Sequence, residues 1–186
     1  QIKIAPFRLD KPRRLIVESD WSSASYYYSL VALSEMEVSL SSYRSSSLQG
    51  DSALVDIYSR LGVNSLFDEE TARLTLSKDT NCVLPDTLEL DLVDTPDLAQ
   101  TIAVSCAGLG IGCYLTGLHT LKIKETDRLE ALRAELSKLG AEISVGPDWL
   151  KIERGTQLLA EKAIETYHDH RMAMAFAPLA LYVPLT

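Results

Sequence analysis

Lys124-Glu125-Thr126-Asp127-Arg128-Leu129-Glu130-Ala131-Leu132-Arg133-Ala134-Glu135-Leu136-Ser137-Lys138-Leu139-Gly140 is a charged pentad followed at once by an apolar stripe. Leu129, Leu132, Leu136 and Leu139 recur at steps of three, four and three, one face of an amphipathic helix. Gly140 ends the helix, as a residue just past a C-terminus often does. The pentad therefore stands at the helix entrance, where free N–H groups and the positive dipole end favour anions. If the first turn is helical, Lys124 and Arg128 share one face, with Glu125 between them in sequence. Two cations and an acid there suit holding an anion and moving a proton. The ordinary alternative is a solvated, charge-rich first turn.

Working outward, the pattern returns. Leu48-Gln49-Gly50-Asp51 leads to Arg60-Leu61-Gly62-Val63, as Lys124-Glu125-Thr126-Asp127 leads to Lys138-Leu139-Gly140-Ala141; Asp51 and Asp127 are 127 − 51 = 76 positions apart. Acidic helix starts fall at Asp20, Asp97 and Asp169, separated by 77 and 72 positions. This is an internal repeat of strand–helix–strand–helix–strand–strand units, an α/β (α+β) organisation, at about 13–80 and 87–155 with a third beginning at 161–186. One unit cannot cover both of its apolar faces, so the units pack on one another and bring several helix N-termini to one end.

Within the first unit the sequence predicts a strand at Arg14–Glu18 and a helix from Trp21 to Leu33 capped by Asp20. A strand at Val38–Leu40, a serine-rich loop and a helix opened by Asp51 and stopped by Gly62 follow. A strand pair at Ser65–Phe67 and Arg73–Leu76 closes the unit. The second unit predicts a strand at Thr87–Leu92, then a helix from Pro96 to about Ala107 capped by Thr95 and ended by Gly108 and Gly110. Next come a strand at Ile111–Leu115, the leucine-striped helix, and a hairpin of Glu142–Val145 and Trp149–Glu153. A strand at Ala163–Thr166 opens the third unit, and His168-Asp169-His170-Arg171 leads into a helix. Trp21 and Tyr26 to Tyr28 read as packing residues.

The 186 residues suit one sizeable core, and 46% apolar with 24% charged residues is an ordinary globular mix. A formal charge of −8 argues against broad nucleic-acid binding, which needs a basic surface. No apolar run approaches a membrane span and no signal peptide is visible, so no membrane partner is expected. Cys82, Cys106 and Cys113 are odd in number and lack metal spacing, which fits reduced, buried thiols in a cytoplasmic protein. The chain starts on Gln1-Ile2-Lys3-Ile4 and stops inside the apolar segment Leu179–Leu185, so a piece of something longer is expected.

Three points carry chemistry. Asp97, just inside its helix, suits accepting a proton from a hydroxyl, or is simply a first-turn acid. Arg128 can take a carboxylate or phosphate with two parallel bonds and Lys124 adds a point charge. Glu125 acts as a general acid if burial raises its pKa, a shift its cationic neighbours oppose until an anion neutralises them. His168 and His170 flank Asp169, but residues i and i+2 do not face one another on a helix, and no further ligand has suitable spacing. Asp169 as a cap, with Arg171 aimed at an anion, is the functional reading; a solvated loop is the alternative. His119 has no evident partner.

Lys124-Glu125-Thr126-Asp127-Arg128-Leu129 and Asp169-His170-Arg171-Met172-Ala173-Met174 resemble the signatures of the 3-phosphoshikimate 1-carboxyvinyltransferase (EPSP synthase) family. Asp20 with Ser22-Ser23-Ala24-Ser25-Tyr26, and Pro96-Asp97, stand in the same order. The resemblance implies an enolpyruvyl transferase-like domain of pseudo-symmetric βαβαββ repeats, with helices packed inside against sheets. It implies transfer of the enolpyruvyl group of phosphoenolpyruvate to the 5-hydroxyl of shikimate 3-phosphate, releasing phosphate, in the shikimate pathway of aromatic biosynthesis. Asp97 is then proton acceptor and Glu125 proton donor. Asp97 and Lys124 bind shikimate 3-phosphate, Arg128 and Arg171 hold phosphoenolpyruvate, and His170 and Asp169 line the site. Thr120 stands where many relatives carry a substrate-binding asparagine, four positions before the lysine. No metal or organic cofactor is implied. The family's N-terminal domain, its partner in a closing site, and its C-terminal end are missing from this stretch, so the piece alone is expected to be inactive. The alternatives are a non-catalytic phosphometabolite-binding module and a sister enolpyruvyl transferase acting on UDP-N-acetylglucosamine.

Overall fold

The computed structural model describes residues 3, 5, 6, 11 and 17–186. Five α-helices and seven strands lie among them: α1 (Trp21–Ala32), β1 (Val38–Ser41), α2 (Leu54–Ser59), β2 (Val63–Asp68), β3 (Arg73–Lys78), β4 (Thr87–Asp91), α3 (Ala99–Leu109), β5 (Gly112–Thr116), α4 (Arg128–Lys138), β6 (Ile143–Val145), β7 (Leu150–Ile152) and α5 (His170–Phe176). The expected strand at Arg14–Glu18 falls mostly outside the described residues; Val17 and Glu18 are not in a strand.

Two sheets form. β1, β3 and β2 pair antiparallel in that order; the second sheet runs β4-β5-β7-β6, with β4 and β5 parallel and the other pairs antiparallel. The order β1-β3-β2 in one sheet matches β5-β7-β6 in the other. The parallel pair follows from α3, whose crossover returns the chain beside its starting strand.

Helices α1, α3 and α5 pack on one another, with α1 against β1, β2 and β3 and α3 against β5. All residues of α3 from Ala99 to Gly108 are buried, and the small ones among them, Ala99, Ala103, Ser105, Ala107 and Gly108, let neighbours approach closely. The stripe Leu129, Leu132, Leu136 and Leu139 is fully buried, at roughly 1.5–3 kcal/mol per side chain. Hydroxyls join α1 to α3: Ser25 Oγ meets Thr101 Oγ1 at 3.0 Å, and Ser105 Oγ donates to Ser29 Oγ at 2.8 Å. Both pairs are 76 residues apart, the period of the repeat. Each hydroxyl is satisfied, as buried polar groups must be.

Several element ends differ from expectation. Asp51 lies in a 3-10 turn (Gly50–Ala53) ahead of α2 rather than capping it, and Pro96–Leu98 forms another ahead of α3. Thr95 makes no capping hydrogen bond. Gly108 sits inside α3, where a Cβ would come within 2.6 Å of Leu33 and 2.8 Å of Leu179; the helix ends at Gly110, which adopts φ 69°. The pentad is not a first helical turn. His119–Ile123 is a 3-10 turn, Lys124 is extended, and Asp127 caps α4 through the Glu130 amide. Ala163–Thr166 is no strand; a single parallel bridge joins Lys162 to Leu185. Asp20 does cap α1, accepting from the Ser22 and Ser23 amides. Tyr28 and Trp21 are core residues, whereas Tyr27 is exposed. Cys106 and Cys113 are buried and Cys82 is half-buried, all three as free thiols. No helix among the described residues is long and apolar enough to cross a membrane.

Candidate active site

Asp97, Lys124, Glu125, Arg128, Asp169 and Arg171 come from three stretches of chain and meet at one end of the helix cluster. Asp97 stands in the 3-10 turn before α3. That turn leaves its carboxylate free of the backbone, and three cations reach it. Lys124 Nζ lies 3.3 Å and Arg128 Nη1 3.1 Å from Oδ1, and Arg171 Nη2 lies 3.3 Å from Oδ2. Because Lys124 is extended rather than helical, it and Arg128 do not share a helix face; they converge on Asp97 from either side of the Asp127 cap.

Arg128 is the first residue of α4 and is 1% exposed. Burying a guanidinium is costly unless its donors are matched. Its Nε donates to Asp169 Oδ2 at 2.7 Å, Nη1 to Asp97, and Nη2 to Glu125 Oε2 at 2.7 Å. Gln100, also buried, accepts from Arg128 Nε at 3.0 Å and donates to the Asp97 carbonyl when its amide is turned to satisfy both.

Asp169 caps α5 through the Arg171 amide and is itself buried. Burial alone would push its carboxyl up. The hydrogen bond from Arg128 and the Arg171 amide outweigh that and hold it below the usual range. Asp97, Glu125, Lys124 and Arg171 keep partial exposure, so the face they form is open to solvent. His170 is exposed at the start of α5. Thr120 lies in the turn just before Lys124, and its buried hydroxyl has no hydrogen-bond partner among the described residues. Among the described residues no group of three His, Cys, Asp or Glu side chains is arranged to hold a metal ion.

Three residues near this face were not read as site residues from the sequence. Burial raises the Asp51 carboxyl above its ordinary value; a hydrogen bond from Ser22 opposes the shift and the charge of Asp97 adds to it. Burial also raises the Tyr26 phenol, against the pull of Arg171 and Arg128. Gln100 is the third. The 76-residue match of Asp51 to Asp127 was the available signal for the first; an amide inside an apolar helix run was the signal for the last.

The arrangement offers guanidinium and ammonium groups to an anion, with carboxylates beside them to exchange protons. The model of the EPSP synthase (3-phosphoshikimate 1-carboxyvinyltransferase) family matches residues 1–184. A 3-phosphoshikimate 1-carboxyvinyltransferase of Bacteroides fragilis is 46% identical over 171 residues, covering 90% of this chain and 41% of that protein. One from Paraburkholderia phytofirmans is 34% identical, covering 94% and 40%. The chain thus spans about two-fifths of the length of these relatives. The EPSP synthase of Acinetobacter baumannii superposes with a TM-score of 0.69 at 22% identity, covering 89% of this chain and 40% of that one. The enolpyruvyl transferase NikO of Streptomyces tendae does so at 0.54 and 15%, covering 84% and 33%; these last two likenesses concern the fold. The chain belongs to the EPSP synthase family.

Proposed function

We propose that a protein carrying this chain, together with the further length its relatives have, transfers the enolpyruvyl group of phosphoenolpyruvate to the 5-hydroxyl of shikimate 3-phosphate. The observation that carries the reading is the meeting of Lys124, Arg128 and Arg171 on the carboxylate of Asp97, with Glu125 on the same guanidinium. In this reading the hydroxyl oxygen bonds to the central carbon of phosphoenolpyruvate as its proton passes to Asp97. Glu125 gives a proton to the methylene carbon, making a methyl group and a tetrahedral intermediate. Loss of a proton from that methyl and of phosphate from the central carbon restores the double bond. Lys124 and Asp97 hold shikimate 3-phosphate, with Thr120 in place of the usual asparagine. Arg128 and Arg171 hold phosphoenolpyruvate, and Asp169 and His170 line the site.

To bind, the anions must displace carboxylates from Arg128 and Arg171. The βαβαββ units at 13–80 and 87–155, with a third from 161, supply one wall. The opposing wall is the N-terminal domain that closes on it. The three free thiols fit a reducing, cytoplasmic compartment.

The test is phosphate release from phosphoenolpyruvate and shikimate 3-phosphate by the full-length protein. Asp97→Ala and Glu125→Gln are each expected to lower kcat by about 10²–10⁴-fold, the usual worth of a positioned acid or base. Normal release in both variants overturns the reading.

A further inference from the structure

Glu135 stands in the middle of α4 with its side chain fully buried, well away from the charged face in sequence. A buried carboxylate is retained only where its oxygens are matched. Lys138 Nζ lies 2.8 Å from both oxygens, but Lys138 is partly exposed and keeps water as an alternative. The other two donors come from a distant part of the chain. The Glu165 amide donates to Oε2 at 3.1 Å and the Tyr167 hydroxyl to Oε1 at 2.6 Å. Those residues immediately precede Asp169 and Arg171.

The segment they hold is strained. Tyr167 and His168 adopt φ 55° and 56°, consecutive left-handed conformations in residues other than glycine. Such a backbone persists only where surroundings hold it, and it concentrates at functional sites. The Asp169 amide closes a turn on the Thr166 carbonyl at 2.9 Å. Beyond that turn Asp169 reaches Arg128 and Arg171 reaches Asp97.

We propose that Glu135 is a positioning residue: by gripping Tyr167 and the Glu165 amide it fixes the strained turn that delivers Asp169 and Arg171 to the charged face. One helix then controls both sides of the anion site. Its first residue is Arg128, and two turns later Glu135 anchors the loop that brings Arg128 its buried partner. The Glu135 carboxylate also pushes the Tyr167 hydroxyl up to about 12, as the hydrogen bond it donates to a charged acceptor favours the protonated phenol.

The kinetic arm of the test rests on the proposed transfer reaction; the spectroscopic arm does not. In the full-length protein, Tyr167→Phe removes one bond without altering the fold of α4, and Glu135→Gln keeps the shape but loses the charge. Both are expected to raise the KM for phosphoenolpyruvate at least about fivefold, a fraction of one charged hydrogen bond, with the KM for shikimate 3-phosphate within about twofold. The Arg128 Nε–H resonance, assigned by its loss in Arg128→Lys, is expected to exchange faster with solvent in both, because its Asp169 acceptor is no longer fixed. An unchanged Nε–H exchange rate in both variants overturns the proposal, even if thermal stability falls. An equal rise in both KM values overturns it too. If the protein has no transferase activity, the exchange rate still decides the role of Glu135, and the functional reading fails on its own.

Discussion

At the scale of single residues, the pair that sets the site is Arg128 with Asp169. Both are buried and lie 2.7 Å apart, whereas Glu125, at the same distance from Arg128, is half exposed. Asp169→Asn is expected to cost about 3 kcal/mol of folding stability, the low end for breaking a buried pair, because Asp97 and Glu125 still face the guanidinium. The pH dependence has a definite sign. The folded pKa of Asp169 is depressed, so its contribution is full above the unfolded value of about 3.9 and is lost as pH falls below it through the folded value. Denaturant titrations of wild type and Asp169→Asn should therefore separate at neutral pH and converge in acid. Asp97, Lys124, Glu125, Arg128 and Arg171 were legible because their motifs are local strings. The link from Arg128 to Asp169 spans 41 residues, and the grip of Glu135 on Tyr167 spans 32. Nothing local marks either, because a buried acid and a solvent-facing acid on a helix look alike until the partner is placed.

At the scale of elements, helices and strands could be read from periodicity because each buries one regular face. Their ends could not. Thr95 and Asp51 have the composition of caps, yet the chain tightens into 3-10 turns there, and the turn before α3 is what frees Asp97 to meet side chains instead of amides. Gly117 governs the same corner from the opposite strand. It adopts φ 76°, and a Cβ on it would come within 2.4 Å of the Val93 amide nitrogen and 2.5 Å of the Asp91 carboxylate. Gly117→Ala therefore combines a left-handed strain with a clash against backbone that leads directly to Pro96-Asp97. The expected loss is about 2–5 kcal/mol, summing the costs of strain and overpacking, read as a fall in the urea midpoint. A loss below about 0.5 kcal/mol, the scatter of neutral surface changes, contradicts the packing described for this corner.

At the scale of the whole molecule, the units share one interior, since α1, α3 and α5 pack together and α3 has no free side. Neither sheet then has a core of its own, and unfolding should be a single transition. The two tryptophans report separately: Trp21 packs against Tyr43 at 5.1 Å in the first unit, and Trp149 against Tyr114 at 6.1 Å in the second. Trp21→Phe leaves the signal of Trp149 and Trp149→Phe that of Trp21, so in either variant fluorescence and circular dichroism should give one shared midpoint. Fluorescence and dichroism midpoints that separate would mean the units melt independently. The hydroxyl contacts between α1 and α3 carry one more consequence. If the units descend from a duplicated ancestor, Ser25 and Thr101 were once the same amino acid facing its own image, and so were Ser29 and Ser105. Only a group that both gives and receives a hydrogen bond suits such a place; a hydroxyl does, while an ammonium or carboxylate repels its twin. Drift at these mirror positions is thus coupled, and a charge can enter one of them only after its counterpart has changed.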